Sequence, residues 1–463
     1  MRVYQFRHSG TPSIVLDAEN GRKGTVGQCN GISGMLVLPM KPYTTFIFDS
    51  FSHNAETGTI ELVYALDGAE GLTTGDEIRF TETLTLPLGL PPAADKPGLP
   101  EALHALHMIG GISYYKTCLP KTIEVRTQPL TEAQARFWHT MYEEGLGEFF
   151  FRNRIDFRGL IHFPFEPGLE TGSTPPLPPR EEGMQGKKVL VPIGGGKDSV
   201  VTAELLRKAG ATVTLFRVGQ HPVIDRLAEA MGLPLLTVKR SLSSRLFTLN
   251  EEGALNGHVP ITGYLSFLAV VVALLGDFDA VAFGNEESAS YGNVTYLGKE
   301  INHQWSKSLA CEEMVRNYIA ASIHPSLRYF SHLRTWSELN VVREFAKYPQ
   351  YLPLTTSCNT NWRIVKERPA NLWCGECPKC AFVFALYAVS LPRPTLLKTF
   401  GKDLFADANL LPLYKQLLGL EGFKPFECVG TPEETREAFR LAHGRKEWEG
   451  TPAMELFTAS FPS

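Results

Sequence analysis

The stretch Ile193-Gly194-Gly195-Gly196-Lys197-Asp198-Ser199 decides the fold of this chain. Before it runs Lys187-Lys188-Val189-Leu190-Val191-Pro192, short, apolar and β-rich. After it runs a helix-forming segment from Val200 to Ala209. A strand, a glycine turn and a helix start form an anion-binding arrangement. Glycines let the backbone approach a phosphate, and a helix N-terminus offers free N–H groups and the positive end of its dipole. Lys197 adds a point charge and Ser199 a hydroxyl donor. The spacing excludes a Walker A loop, which needs four residues between its glycines and then Lys-Ser/Thr. It also excludes the dinucleotide fingerprint, because G-x-G-x-x-G is missing.

Outward from this loop the chain alternates strand and helix. Residues 188–193, 212–218, 235–239 and 280–283 read as strands, and 199–208, 222–231 and the strongly apolar 261–275 as helices. This pattern predicts an α/β fold, a parallel sheet with helices on both faces. Ligands in such sheets sit beyond the carboxyl ends of the strands. Loops 194–199, 219–221 and 284–292 should therefore converge on one site. The predicted nucleotide contacts are Ile193, Gly194, Gly195, Gly196, Lys197, Asp198 and Ser199, joined by Arg217 at the end of the second strand and by Gly284 and Asn285 after the fourth.

The N-terminal part reads differently. Residues 34–39, 45–52, 59–66 and 78–86 are β-prone, with a hairpin turn at Asn54-Ala55-Glu56-Thr57-Gly58 and a Pro-rich stretch at 87–100. Helices are expected from Leu103, Leu106 and Ile109 on one face, and from Thr131-Glu132-Ala133-Gln134 to about residue 144. Residues 112–120 read as a strand with mixed faces; Tyr114, Tyr115 and Lys116 alternatively stack on a base or bind a phosphate. Thr174-Pro175-Pro176-Leu177-Pro178-Pro179-Arg180 lies in an extended linker. The expected division is an α+β domain over 1–165, a linker over 166–186 and a catalytic domain over 187–463. The tail is helical, with Thr431-Pro432-Glu433-Glu434 as a cap.

Bulk properties bound the function. A length of 463 residues implies two or more domains. The apolar and charged fractions, 43% and 20%, are those of a soluble globular protein. A net charge of −4 argues against a nucleic-acid-coating surface. No apolar run reaches the ~18 residues of a membrane span. The N-terminal Met1-Arg2-Val3-Tyr4-Gln5-Phe6-Arg7-His8 lacks the apolar core of a signal peptide. The expectation is a cytoplasmic protein with a small-molecule substrate and neither membrane nor nucleic-acid partners.

Cys374-Gly375-Glu376-Cys377-Pro378-Lys379-Cys380 is C-x2-C-x2-C, with Cys358 upstream. Four thiolates make a closed tetrahedral zinc site, which is structural because no position is left for substrate. An iron–sulfur cluster uses the same spacing. Cys29, Cys118 and Cys428 have no partners in spacing and read as packing residues. Asn302-His303-Gln304-Trp305-Ser306-Lys307-Ser308 is dense in groups that bind or transfer protons. His303 is a candidate acid or base, and Lys307 a ligand for phosphate or carboxylate. Glu286 and Glu287 are candidates for metal binding or base work. Cys311, on an expected helix from Leu309, is a further candidate base.

The glycine loop resembles the PP-loop, S-G-G-x-D-S, of the ATP pyrophosphatases, with Gly194 in place of the usual Ser. That resemblance implies the adenine nucleotide alpha hydrolase-like fold and cleavage of ATP between the α and β phosphates. Magnesium is then expected for charge neutralisation. The cysteine layout and Phe283-Gly284-Asn285-Glu286-Glu287-Ser288-Ala289-Ser290-Tyr291 resemble the PP-loop enzyme that makes 7-cyano-7-deazaguanine. The ordered set of segments points elsewhere. Thr45-Phe46-Ile47-Phe48, Gly111-Ile112-Ser113-Tyr114-Tyr115-Lys116, Gly145-Leu146-Gly147-Glu148-Phe149, the glycine loop, Gly284-Asn285-Glu286 and 302–308 together resemble the MurL family of ATP-dependent UDP-N-acetylmuramoyl-L-alanyl-L-glutamate epimerases of peptidoglycan synthesis, over nearly the full length. This implies that ATP adenylates the glutamate α-carboxylate of a UDP-MurNAc-dipeptide, and that the N-terminal domain holds the UDP-sugar. Two other readings stand beside it: a PP-loop enzyme of nucleoside or tRNA modification, and a non-catalytic nucleotide sensor.

Overall fold

The computed structural model describes residues 43–68, 77–87, 90, 96–169, 183–362, 369 and 371–462. The expected strand at 34–39, Cys29 and the Pro-rich core of the linker lie outside them.

The chain opens with an antiparallel meander of β1 (Thr45–Asn54), β2 (Thr59–Asp67) and β3 (Ile78–Thr85). In β3, Ile78, Phe80, Glu82 and Leu84 are buried and alternate with Arg79 and Thr81 in solvent, the period-2 pattern of a sheet with one packed face. The β1–β2 turn is closed by the Asn54 carboxamide oxygen, which accepts from the Glu56 and Thr57 amides at 3.0 Å. β4 (Thr122–Val125) lies parallel to β1. Next come the parallel strands β5 (Lys188–Pro192), β6 (Thr212–Val218), β7 (Leu235–Ser241) and β8 (Ala280–Phe283). A small hairpin, β9 (Val294–Tyr296) and β10 (Lys299–Ile301), stands apart, and β11 (Arg328–Ser331) completes the parallel set beside β8.

The two blocks share one nine-stranded sheet, in the order β11-β8-β5-β6-β7-β3-β2-β1-β4. The join is antiparallel, with Thr83, Leu84 and Thr85 opposite Ser241, Arg240 and Lys239. A buried ion pair crosses it: the Arg240 guanidinium donates to both Glu82 carboxylate oxygens at 2.9 Å. Tyr114 and Tyr264 donate to the same carboxylate at 3.0 and 2.6 Å, and Arg240 lies 3.7 Å over the Tyr264 ring. A buried charge needs such full pairing. This corrects the reading of 112–120. Ile112–Tyr115 is a short helix rather than a strand, Tyr114 supports the seam, Tyr115 is core, and the buried Lys116 ammonium donates to Asn256.

Helices cover both faces. Along β5, Leu190 packs into one core while Val189 and Val191 pack into the other. The helix Ile261–Leu275 is buried along almost its whole length and packs on Leu99–Gly110, tying the N-terminal block to the parallel sheet. Lys197–Lys208, Pro378–Ser390 and Pro432–Gly444 share the opposite core. Two helix starts carry the capping boxes implied by their sequence, Thr131 with Gln134 and Thr431 with Glu434. Among the described residues no helix is long and apolar enough to cross a membrane.

Candidate active site

The glycine loop leaves the carboxyl end of β5 and enters the helix Lys197–Lys208 directly. Gly195 adopts φ +82°, and a Cβ there would stand 2.8 Å from the Trp362 ring, so both backbone and space require glycine. A Cβ on Gly284 would meet the Asp198 carbonyl at 2.8 Å, so the end of β8 also packs tightly on the loop. One pocket opens here. Ile193, Gly194, Gly196, Asp198 and Ser199 line one wall and Arg217, Gly284 and Asn285 another, with Trp362 and Lys379 alongside. The Ser199 hydroxyl donates to the Gly196 carbonyl at 3.1 Å.

Two predicted phosphate contacts are engaged elsewhere. Lys197 is buried, and its ammonium is held by Asp198 and Glu338. Burial alone would lower its pKa, but the two carboxylates outweigh that and hold it charged. The Arg217 guanidinium donates to Thr237 at 2.9 Å and to the His221 carbonyl at 3.1 Å and pairs with Asp225, so it braces the β6 loop. Two further cations, Lys307 and Lys379, line the pocket, the latter with its ammonium on the Cys428 carbonyl.

The far wall carries a second chemistry. His303, Lys307, His258 and Cys428 all line the pocket. His303 Nδ1 lies 2.5 Å from a Glu148 carboxylate oxygen, and His258 Nδ1 lies 3.4 Å from the same oxygen. Lys307 Nζ donates to Cys428 Sγ at 3.2 Å, and His303 hydrogen-bonds the same thiol. Burial disfavours charge on the ring, but Glu148 and Cys428 reverse this and push His303 up to about 10. Burial likewise opposes ionisation of the thiol, but Lys307, His303 and Lys379 pull Cys428 down to about 5. Both shifts favour the ionised forms, a thiolate beside an imidazolium.

Separate chain segments are pinned to make this wall. Asn293 donates to the Lys424 and Pro425 carbonyls at 3.1 and 2.8 Å and accepts from the His303 amide at 2.8 Å. Gln304 donates to the Val429 carbonyl at 3.2 Å. Arg334 donates to the Glu286 and Lys307 carbonyls at 3.0 and 2.7 Å and pairs with Glu312.

The other predicted catalytic residues fare differently. Glu286 is buried near the loop, where burial and then the Glu338 and Glu434 charges push its carboxyl up to about 8. Its side chain accepts from the Ser288 amide. Glu287 points into solvent, away from the pocket. Cys311 is in the core, and burial drives its thiol strongly upward, which removes it as a base. Cys428, read as a packing residue, is the thiol in the pocket. Its sequence neighbours carry no motif, and only tertiary folding brings it to His303 and Lys307. Glu148 was visible solely inside the family-like segment 145–149.

The four cysteines meet. Sγ–Sγ separations are 4.0 Å (Cys358–Cys377), 3.7 Å (Cys374–Cys380) and 3.5 Å (Cys377–Cys380). A tetrahedron with Zn–S of about 2.3 Å has edges of about 3.8 Å, so the cage fits one ion. A multi-iron cluster needs a wider cage. The cage also braces the pocket: Thr356 N–H donates to the Gly195 carbonyl at 2.9 Å, and Trp362 and Lys379 are close neighbours of its ligands in sequence.

The chain matches the family model "MurL N-terminal domain" over residues 39–332 and "MurL C-terminal domain" over residues 354–463. It is 40% identical over 417 residues to the UDP-N-acetyl-alpha-D-muramoyl-L-alanyl-L-glutamate epimerase of Xanthomonas oryzae pv. oryzae, covering 89% of each chain. It is 39% identical over 420 residues to the protein of the same name from a Micromonospora species, covering 90% of this chain and 91% of the relative. Among solved structures, a "predicted subunit of tRNA methyltransferase" from Methanocaldococcus jannaschii aligns over 34% of this chain and 72% of its own, with 17% identity and a TM-score of 0.21, too distant to bear on function. With both domain models matched and relatives aligned along nine-tenths of its length, this chain belongs to the MurL family.

Proposed function

We propose that this protein inverts the α-carbon of the terminal L-glutamate of UDP-MurNAc-L-Ala-L-Glu to the D form, coupled to cleavage of ATP to AMP and diphosphate. The observation that carries the reading is one pocket lined both by the glycine loop and by a thiol–imidazole–ammonium set. Family membership supports the substrate.

A free carboxylate acidifies its neighbouring C–H poorly, because removing the proton piles negative charge on an anion. Attack of the α-carboxylate on the α-phosphorus of ATP expels diphosphate and gives an acyl-adenylate that is uncharged at its acyl carbonyl, so its α-proton is far more acidic. The chain's part in that step is positioning and electrostatics. Backbone N–H groups of Gly194–Ser199 cradle the phosphates, and Trp362 offers an aromatic face to the nucleotide. Asp198, at the pocket wall, is the carboxylate that would meet magnesium carried on the phosphates. Zinc on the four cysteines would hold the 355–362 segment and the start of the helix Pro378–Ser390 in place. The N-terminal block reaches the site through Glu148, which supports a role for it in binding the UDP-sugar.

The test is direct. Purified protein with UDP-MurNAc-L-Ala-L-Glu, ATP and magnesium should yield D-glutamate in the dipeptide and AMP, and Asp198→Ala should reduce AMP formation by at least 100-fold. Absence of D-glutamate, or ADP in place of AMP, refutes the reading.

A further inference from the structure

The geometry points to Cys428 as the base that removes the glutamyl α-proton, with His303 and Glu148 positioning it and Lys307 stabilising its anion. This deepens the proposed activity and rests on it.

The assignment stands on placement. Cys428 is half-buried in the pocket that holds the glycine loop, within reach of a substrate activated there. Its Sγ accepts from Lys307 at 3.2 Å and from His303, whose other nitrogen faces Glu148 at 2.5 Å. Glu148 thus fixes the ring and favours its charged form, and the ring fixes the sulfur. The loop carrying Cys428 is anchored from three sides, by Asn293, by Gln304 and by the Lys379 ammonium on the Cys428 carbonyl. The charges that bear most on the thiol are the cations Lys307, His303 and Lys379, with Lys424 farther off, while the Asp198 carboxylate lines the same pocket. A packing cysteine needs none of this.

The step balances as follows. The Cα–H bond of the acyl-adenylate breaks, and its proton passes to the Cys428 thiolate. The electron pair moves into the acyl carbonyl as an enolate. A solvent-derived proton adds to the opposite face of Cα, and the thiol returns its own proton to solvent. Water then hydrolyses the adenylate, restoring the carboxylate and releasing AMP.

The experiment uses the full-length protein with zinc bound. Cys428→Ser and Cys428→Ala are assayed with UDP-MurNAc-L-Ala-L-Glu for two readouts: substrate-dependent exchange of labelled diphosphate into ATP, and Cα deuterium uptake with D-glutamate formation in deuterated water. The expected result is diphosphate exchange within 10-fold of the unaltered protein and Cα exchange reduced at least 1,000-fold. Cα exchange within 10-fold overturns the assignment, as does a covalent thioester on Cys428. A second metal equivalent bound by Glu148, His258 and His303 also overturns it. If the unaltered protein shows no diphosphate exchange, it is the activity in the previous section that fails. A measurement independent of substitution is peptide-mapped iodoacetamide alkylation. Cys428 should react at pH 6 and be protected by substrate with ATP, whereas a thiol that reacts only above pH 8 contradicts the proposal.

Discussion

At the residue scale, the site shows how far environment outweighs residue type. Among the described residues, three thiols outside the four-cysteine cluster, Cys118, Cys311 and Cys428, differ in what surrounds them. Burial raises the first two, while cations surrounding the third depress it. A sequence shows residue types but not their neighbours, so Cys311, next to a promising motif, looked better than Cys428, which had none. His303 and Lys307 were legible because they share one short polar stretch. Glu148 was not, since it lies 155 residues from the imidazole that it holds.

Glu148 gives a prediction at the same scale. Glu148→Gln removes the largest charge that favours protonated His303, so burial pulls the ring's pKa down and its charged form is lost at lower pH. Without the imidazolium, the Cys428 thiol rises from about 5 toward its ordinary range. In the proposed mechanism the thiolate is the active form, and activity falls as pH drops through the thiol's pKa. The acidic limb of kcat/KM for epimerisation should therefore move to higher pH, by about one pH unit or more. An unchanged limb shows that Glu148 does not act through the ring.

At the element scale, the α/β half was largely readable. The helix at 261–275 and the strands at 212–218 and 280–283 fall where composition and period put them. β11 and the β9–β10 hairpin were missed because they are short and mix polar with apolar residues, unlike the unbroken apolar run at 280–283. The β3–β7 join was also illegible. Its signal is a pairing between residues 158 positions apart, Glu82 and Arg240, each of which looks like an ordinary polar strand residue. That pair supplies a stability test. Glu82→Ala strands the buried Arg240 charge and removes the acceptor of two tyrosine hydroxyls. It should cost about 3–5 kcal/mol in urea unfolding; a loss under about 1 kcal/mol means that the seam is not held by this network.

At the scale of the whole molecule, the continuous sheet matters for function. The glycine loop stands at the end of β5, the proposed proton-transfer set comes from the 303–307 and 424–429 segments, and the brace for His303 comes from the N-terminal block. The N-terminal block and the block that carries the glycine loop share one sheet, and they also meet where Glu148 holds the His303 imidazole. The central claim is that nucleotide cleavage exists to acidify one C–H bond. Its most direct test is Cα exchange of UDP-MurNAc-L-Ala-L-Glu in deuterated water, followed by mass spectrometry with and without ATP. The account predicts deuterium at the glutamyl Cα, with AMP, only when ATP is present. Exchange at the same rate without ATP would contradict it.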